Sequence, residues 1–256
     1  MLPVERHEAI VEAVSAAQAV STDELVRRLG VSAETVRRDL ALLEEKGALR
    51  RVHGGAAPVE SRRVIEPSYT ERSMIRHQAK AQLARLAAGL LEDGQTVVID
   101  IGTTAVAVAQ AIPRSFTGTV VTPSLPVAVE LADRAGVEVL LAGGRVRPGD
   151  LACSSAHAKA FFADIYADIA LLGSGGVHAE AGLTDFHLDE IDVRRTIIAN
   201  SARSYILADS SKVGQVAPYR VCPLGAVTGL ITDTDTDAGV AAAFAETGGV
   251  VLSARP

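Results

Sequence analysis

Hydroxyl side chains, glycines and isolated charges follow the apolar runs of the second half of the chain. The first example is Asp100, Gly102, Thr103 and Thr104, which come directly after the run TVVI. A glycine followed by two hydroxyl residues at the start of a helix can hold a phosphate, because backbone amides and the helix dipole both attract an anion. This spacing predicts a phosphate-binding turn.

Similar residues follow the next apolar runs, and ligands of parallel sheets bind at the carboxyl ends of the strands. Amides and hydroxyls there suit a phosphate, whereas Asp209 and Lys212 suit sugar hydroxyls. Lys212 is a stronger candidate for a binding role because the chain has only four lysines against 21 arginines. The predicted site for a small phosphorylated polyol comprises Asp100, Gly102, Thr103, Thr104, Thr122, Ser124, Leu125, Gly143, Gly144, Arg147, Gly173, Asp209 and Lys212.

The elements that must position these residues alternate along residues 77–256. Short apolar runs such as 96–100, 118–122 and 167–176 are separated by amphipathic stretches of helical spacing. This alternation is typical of a mostly parallel sheet covered by helices on both faces. We therefore expect a large α/β domain over residues 77–256.

The first 57 residues predict a different unit, with three short helices and a hairpin. Ser21 and Ser32 are expected N-caps, and Gly30 is expected to end the second helix. The third helix, over residues 32–47, carries apolar residues at helical spacing that should face a core. A turn of a few residues between the second and third helices is typical of a helix-turn-helix.

The third helix then turns Thr35, Arg37 and Arg38 outward, where a recognition helix meets the major groove. The following hairpin alternates basic and apolar residues and could contact phosphates as a wing. A solvated face is the alternative interpretation of Arg37 and Arg38, and the spacing alone leaves both open. The predicted DNA-binding residues are Ser32, Thr35, Arg37, Arg38, Arg50, Arg51 and His53.

Composition narrows the choice of function class. The net charge is −6, but residues 1–80 carry a net +1 and residues 81–256 a net −7, so a local basic surface is allowed only in the first part. The chain lacks a GxxxxGK[ST] motif, a dinucleotide fingerprint and a metal-ligand spacing. We therefore expect no cofactor and no metal. Cys153 and Cys222 form no CxxC pair, which favours reduced thiols and a cytoplasmic location.

Two literal strings resemble a known family. VSAETVRRDLALLEEKGALRRVHGGA resembles the DNA-binding signature of the DeoR family of bacterial transcription regulators. DIALLGSGGVHAEAGLTDFHLDEIDVRRTIIANSARSYILADSSKVG resembles the sensor domain of the same family. The resemblance implies double-stranded operator DNA as one partner, a sensor fold similar to ribose-5-phosphate isomerase, and a phosphorylated sugar as effector. Two positions depart from the family pattern near the expected ligand, Pro123 and the pair Ser155-Ala156.

The sequence thus predicts a winged helix-turn-helix domain over residues 1–57, a linker over 58–76 and an effector-binding domain over 77–256. The favoured function is a transcriptional regulator, a repressor of sugar or polyol metabolism that senses a sugar phosphate. The alternative is a sugar-phosphate isomerase with an accessory DNA-binding domain, although no positioned acid and base pair is visible. We expect a homo-oligomer, dimer or tetramer, with no membrane segment.

Overall fold

The computed structural model describes residues 3–15, 20–46, 48–52, 54–57, 66–234 and 236–254. The chain divides into two compact units, Met1–Arg63 and Val64–Pro256. Each unit has hydrophobic core residues of its own. Among the described residues, no helix combines the length and the apolar character that crossing a membrane requires.

The first unit is a small helical domain with an antiparallel sheet. Its elements are α1 (Pro3–Ser15), β1 (Val20–Ser21), α2 (Thr22–Leu29), α3 (Ala33–Glu45), β2 (Arg50–Val52) and β3 (Gly55–Ala57). The strand order is β1-β3-β2, and β2 and β3 form the expected hairpin. This arrangement confirms the predicted winged helix-turn-helix.

Serine caps set the starts of α2 and α3. The Ser21 hydroxyl accepts the amide of Glu24 at 3.1 Å, and the Ser32 hydroxyl accepts the amide of Thr35 at 3.2 Å. Gly30 ends α2 with a φ of 66°, a left-handed conformation that glycine adopts without strain. The turn between the two helices is therefore fixed by residues that the sequence singled out.

The apolar face of α3 packs inward. Val36, Leu40 and Leu43 are buried, as their spacing predicted, and pack with Ile10 of α1 and Leu25 of α2. Burial of an aliphatic side chain of this size contributes about 1.5–3 kcal/mol relative to exposure. This shared core sets which face of α3 is left to solvent.

The tip of the hairpin depends on two glycines. Gly54 has a φ of 82°, which favours glycine. A Cβ at Gly55 would lie 2.1 Å from the carbonyl oxygen of Val20, which is closer than any real contact. The β1–β3 pairing thus leaves no room for a side chain at Gly55.

The second unit alternates strands and helices, as the sequence predicted. Its strands are β4 (Thr96–Ile99), β5 (Gly118–Thr122), β6 (Val137–Leu141), β7 (Val146–Arg147), β8 (Ala152–Cys153), β9 (Ala167–Leu172), β10 (Gly176–His178), β11 (Gly182–Asp185), β12 (Ser201–Leu207), β13 (Tyr219–Cys222), β14 (Gly229–Thr232) and β15 (Val250–Ser253). Its α-helices are α4 (Tyr69–Met74), α5 (His77–Ala88), α6 (Thr103–Ala111), α7 (Leu125–Leu131), α8 (Ala156–Ala163), α9 (Leu188–Ala199) and α10 (Ala238–Glu246).

Seven strands form one parallel sheet in the order β15-β14-β12-β9-β4-β5-β6. Alternate residues of β4 point to opposite faces, so Val98 packs in one core and Val97 in the other. Helices α8, α9 and α10 contribute to the first core, and α5, α6 and α7 to the second. The predicted α/β class with a mostly parallel sheet is confirmed.

Short elements beyond the main sheet were not predicted. The expected strand 167–176 ends at Leu172, and Gly176–His178 belongs to a separate antiparallel sheet of order β10-β11-β13. A further hairpin pairs β7 with β8. These strands have two to four residues, too few for a period to emerge from the sequence.

The expected linker, 58–76, differs from the observed segment where it is described. Residues 66–76 belong to the second unit and contain α4, whereas 58–65 lie outside the described residues. Ser68 and Glu71 form a complete capping box at the start of α4. The polar composition of this segment predicted a linker. The segment is nevertheless ordered, because ion pairs rather than an apolar face hold it.

Candidate functional site

The turn between β4 and α6 presents backbone amides at the carboxyl edge of the parallel sheet. Gly102 caps α6 with a φ of 101°, and no side chain caps this helix end. The first amides of a helix have no intrahelical acceptor, and Thr103 and Thr104 occupy these positions. The turn therefore has the geometry expected of an anion site.

A cavity of about 310 Å³ lies beside this turn. Small-molecule sites have volumes of roughly 300–1,000 Å³, so the cavity suits a compact ligand. Thr103, Thr104, Asp209 and Lys212 are the sequence-predicted residues that line it. The other lining residues are Glu66, Pro67, Arg72, Ile75, Arg76, Lys80, Gly175, Phe186, Ser211 and Gln215.

A smaller polar pocket of about 30 Å³ shares Thr103, Thr104 and Lys212 with this cavity. It adds the predicted residues Gly102 and Gly173. A volume of about 30 Å³ corresponds to one water molecule in the liquid. The two pockets together bring six of the predicted effector residues to one place.

Lys212 and Asp209 come from the turn after β12. The Lys212 ammonium donates to the carbonyl of Ser174, and burial lowers its pKa while Asp209 and Asp185 oppose the change. The Asp209 carboxylate accepts the amide of Ser211 at 3.0 Å. This local network orients the turn between β12 and β13 and places Lys212 against the cavity.

Three further cations that reach the cavity come from residues 66–80, which the sequence-based site did not include. Arg76 lies 3.7 Å from Asp209. Lys80 is buried, which lowers its pKa, and its ammonium donates to the carbonyls of Arg72 and Ile75, the latter at 2.9 Å. The scarcity of lysines that drew attention to Lys212 applies equally to Lys80 and could have found it.

Arg72 links α4 to the sheet edge. Its guanidinium lies 3.1 Å from Glu66 and contacts Asp150 more closely. A Cβ at Gly102 would lie 3.8 Å from Nη1 of Arg72. The guanidinium thus stands next to the uncapped start of α6.

Asp100 lies next to this turn but does not line either pocket. Its Oδ2 accepts Nε of Arg194 at 2.6 Å and the amide of Gly173 at 2.9 Å. Arg194 is also 2.6 Å from Asp185. The Asp100 carboxylate is therefore turned into a buried ion network, and its predicted contact with an effector stays a prediction.

Glu190 and Arg147 extend this network. Glu190 lies 3.5 Å from Arg194 and contacts Arg147 more closely. Burial raises the pKa of Glu190 to about 8, with Asp185 and Asp100 adding to the rise and the two arginines opposing it. Arg147 also pairs with Asp150 at 2.5 Å. The predicted role of Arg147 as an effector ligand thus competes with two carboxylates.

The other predicted effector residues lie away from both pockets. Thr122 and Ser124 are buried; Ser124 caps the start of α7, and its amide donates to the Thr122 hydroxyl at 3.1 Å. The amide of Leu125 donates to the carbonyl of Leu151. The pair Gly143 and Gly144 is exposed at the end of β6. The structure does not bring these residues to the cavity.

One described group could offer metal ligands, namely Glu66, Asp150 and His187, whose ligand atoms lie within 4.8 Å of one another. Both oxygens of Asp150 already accept from the guanidinium groups of Arg72 and Arg147. His187 lies 2.8 Å from Glu66. The group is therefore occupied by ion pairs in the folded chain.

In the first unit, α3 presents its predicted polar residues to solvent. The side chains of Arg37 and Arg38 are 61% and 79% exposed. Glu34 lies 3.8 Å from Arg37 and 3.4 Å from Arg38. Thr35 shares a hydrogen bond with the capping Ser32 at 2.9 Å. Both arginines are thus free to reach a groove, with one acidic neighbour.

The wing carries the remaining predicted contacts. Arg50 and Arg51 on β2 are exposed, and the Arg51 amide donates to Glu44 of α3 at 2.8 Å, which ties the wing to the helix. His53 lies outside the described residues. The geometry is that of a helix and a flanking hairpin able to read one DNA groove and its phosphates.

Fold and sites together define a DNA-binding unit followed by a ligand-sensing α/β unit, and comparison with known proteins identifies the family. The DeoR-like helix-turn-helix domain matches residues 6–62, and the DeoR C terminal sensor domain matches residues 75–234. The chain belongs to the DeoR family of transcriptional regulators.

Relatives along nearly the whole chain are named as regulators. The glycerol-3-phosphate regulon repressor of Escherichia coli is 34% identical over 91% of this chain and 92% of its own length. The regulator GlpR of Haloferax volcanii is 35% identical over 93% and 92%. The regulator GolR of Listeria innocua is 29% identical over 97% of both chains. These relatives favour a regulator over the alternative of an isomerase, so the chain is a DNA-binding transcriptional regulator and not an enzyme.

Among solved structures, ribose 5-phosphate isomerase A of Methanocaldococcus jannaschii superposes on 52% of this chain and 53% of its own, with a TM-score of 0.39 and 16% identity.

Proposed function

We propose that the protein represses genes of sugar or polyol metabolism and that a phosphorylated polyol or sugar in the 310 Å³ cavity changes its affinity for operator DNA. The observation that carries the proposal is the charge of the cavity. Four cationic side chains line it against two acidic ones. Such an excess favours an anion of small size.

The phosphate is assigned to the start of α6. There the amides of Thr103 and Thr104, their hydroxyl groups and the Arg72 guanidinium stand together. Donors at a helix start combine hydrogen bonds with the favourable end of the helix dipole. The sequence assigned Lys212 to the sugar hydroxyls, but Lys212 lines both pockets together with Thr103 and Thr104, which supports a contact of its ammonium with the phosphate instead.

The polyol end is assigned to Asp209 and the residues around it. A carboxylate accepts hydrogen bonds from hydroxyl groups, and Ser211 and Gln215 offer further polar groups on the same lining. The names of relatives refer to glycerol 3-phosphate, which makes this compound the first to test. Larger sugar phosphates form the rest of the panel.

The test uses Lys212→Ala and Thr103→Val in the full chain. Both variants should bind operator DNA as the natural protein does when no effector is present, because their side chains lie in the second unit. Both should lose the response to sugar phosphate, which ordinarily amounts to about 1–3 kcal/mol of coupling. The measurement is operator affinity with and without each compound at one salt concentration.

Lys159→Ala is the matched control. Lys159 is another lysine of the second unit, is half exposed and pairs with Asp192 at 3.5 Å. This variant should keep the full response. If Lys212→Ala binds operator normally and still responds as fully as Lys159→Ala, the cavity is not the effector site.

We further infer that residues 1–57 carry the operator contacts and that the chain acts as a homo-oligomer, a dimer or tetramer. Two recognition helices one DNA turn apart would read a palindromic operator. Light scattering of the full chain, free and with operator, gives the number of copies. A monomer on both measurements would contradict this part of the proposal.

A further inference from the structure

Helix α3 carries a buried acid on the side opposite to its solvent-exposed arginines. Asp39 follows Arg37 and Arg38 directly in sequence, yet its side chain is only 9% exposed. A buried carboxylate is costly unless it is paired and hydrogen-bonded. Its partners therefore have a defined task in this unit.

Both partners come from the first turns of α1. Nε of Arg6 lies 2.6 Å from Oδ2 of Asp39, and Nη2 lies 3.0 Å from Oδ1. Nε2 of His7 lies 2.9 Å from the same Oδ1. The hydrogen bond from Arg6 is the main reason why the pKa of Asp39 is lowered. Asp39 is thus an ionised carboxylate held by two side chains from one neighbouring helix.

This cluster adds a directional restraint to the apolar contacts that hold α3. Val36 and Leu40 fill the core with aliphatic groups, and such groups tolerate small rotations because their contacts have no preferred direction. A two-pronged arginine–carboxylate pair is directional and fixes both rotation and position. Asp39 therefore sets the angle at which the adjacent arginines leave the helix.

We propose that Asp39, clamped by Arg6 and His7, is a positioning residue for operator discrimination. The inference rests on the assignment of Arg37 and Arg38 to base recognition. Base contacts depend on placement of the side chain within about 0.5 Å, whereas attraction to phosphates depends mainly on charge. Loss of the clamp should therefore weaken specific binding more than non-specific binding.

The test compares Asp39→Asn with Asp23→Asn. Asp23 is an exposed acid in the first turn of α2, so both variants lose the same charge. Affinity is measured for the operator and for a scrambled duplex at one salt concentration. We expect Asp39→Asn to lower the ratio of the two affinities about tenfold or more, which corresponds to the value of one good base contact. Asp23→Asn should leave the ratio unchanged.

The ratio of operator affinity to scrambled-duplex affinity distinguishes a loss of side-chain positioning from a loss of stability. A merely unstable unit has fewer folded molecules, which weakens binding to both duplexes by one factor and leaves their ratio unchanged. An unchanged ratio for Asp39→Asn would therefore overturn the proposal. If Asp39→Asn fails to fold, Arg6→Lys decides, because it keeps the positive charge but loses the two-pronged geometry; it should lower the ratio by a smaller factor, and an unchanged ratio refutes the positioning role.

Arg37→Ala and Arg38→Ala distinguish failure of the clamp from failure of the underlying assignment. If neither variant changes operator affinity, α3 does not read bases and the proposed interface is wrong. If they weaken operator binding while Asp39→Asn and Arg6→Lys keep the ratio, the interface stands and only the positioning role is refuted.

Discussion

Arg194 shows how one residue can organise a buried ion network beside the smaller pocket. It is 3% exposed and lies within 4 Å of carboxylates from Asp100, Asp185 and Glu190. Burial alone would lower the pKa of this guanidinium, but the three acidic side chains around it raise the pKa instead, and removal of the guanidinium would take from Asp100 and Asp185 their buried cationic partner. Breaking such a buried pair costs about 3–5 kcal/mol. The network therefore requires Arg194 as a structural residue.

Glu190 makes the stability of this network depend on pH. Its pKa rises from 4.5 to about 8 on folding, chiefly because it is buried. Between these values the folded chain holds a proton that the unfolded chain has released, so the free energy of unfolding falls as pH rises. Glu190→Gln removes this titration. Relative to the natural protein, the variant should gain up to about 1.4 kcal/mol per pH unit.

Urea denaturation between about pH 5 and pH 8 measures this difference. Glu246→Gln removes an exposed carboxyl group at the end of α10 and serves as the control. Parallel stability curves for Glu190→Gln and the natural protein would contradict the raised pKa of Glu190.

For single residues, the sequence predicted which polar side chains lie at the strand ends, but not which distant residues they pair with. Thr103 and Thr104 follow β4 and Lys212 follows β12, and residue types at strand ends were enough to predict that they lie together; all three line one cavity, and their role in binding stays a prediction. Asp100 looked like a ligand for the same reason, but its partner Arg194 is 94 positions away along the chain. A sequence does not show which distant charged residue forms an ion pair with a given carboxylate.

Helix α4 illustrates the element scale. It has a complete capping box but no buried residue. Its attachments are ionic, with Arg72 bound to Glu66 and Asp150, and with Lys80 donating to the carbonyl of Arg72. Elements with little buried apolar surface open locally at low cost. α4 is therefore expected to be sensitive to any change at the charges that hold it.

Arg72→Ala should loosen α4 without unfolding the parallel sheet. The side chain of Arg72 is 13% exposed, and loss of a hydrogen bond to a charged group costs about 1.5–3 kcal/mol. Amide hydrogen exchange in α4 should accelerate about tenfold or more, while exchange in β4 and β9 stays slow. Arg85→Ala, at an exposed site of α5, should change neither. Unchanged exchange in α4 would show that Arg72 does not hold it.

At the element scale the long periodic segments were predictable and the short ones were not. Apolar strands of the main sheet and the capped helices α2 and α3 follow from local residue patterns. α4 was read as part of a linker because its six residues have no apolar period. The tertiary ion pairs that order it join positions 78 apart.

For the whole molecule, charge separates the two tasks. The first unit, residues 1–63, carries ten basic and ten acidic side chains and is neutral, whereas residues 64–256 carry a net −6. An acidic unit repels DNA phosphates, so affinity for operator must come from the first unit and its exposed arginines. A bound sugar phosphate therefore influences DNA only by changing the populations of conformations of the chain.

Because the effector and the operator act through the same conformations of the chain, each must influence the binding of the other. If a saturating sugar phosphate changes operator affinity by a given factor, saturating operator DNA must change sugar-phosphate affinity in the same direction, and the changes multiplied over all effector sites of the oligomer must equal that factor. Calorimetric titration of the sugar phosphate, into free protein and into the operator complex, measures it, with a scrambled duplex as the control. A coupling of about 1–3 kcal/mol corresponds to a change of roughly 5–150-fold. Unequal factors would mean that the compound acts at a second site or through a change in the number of associated copies. Lys212→Ala distinguishes these cases, because it should remove only a response that arises in the cavity; a response that persists in this variant would point to the second site.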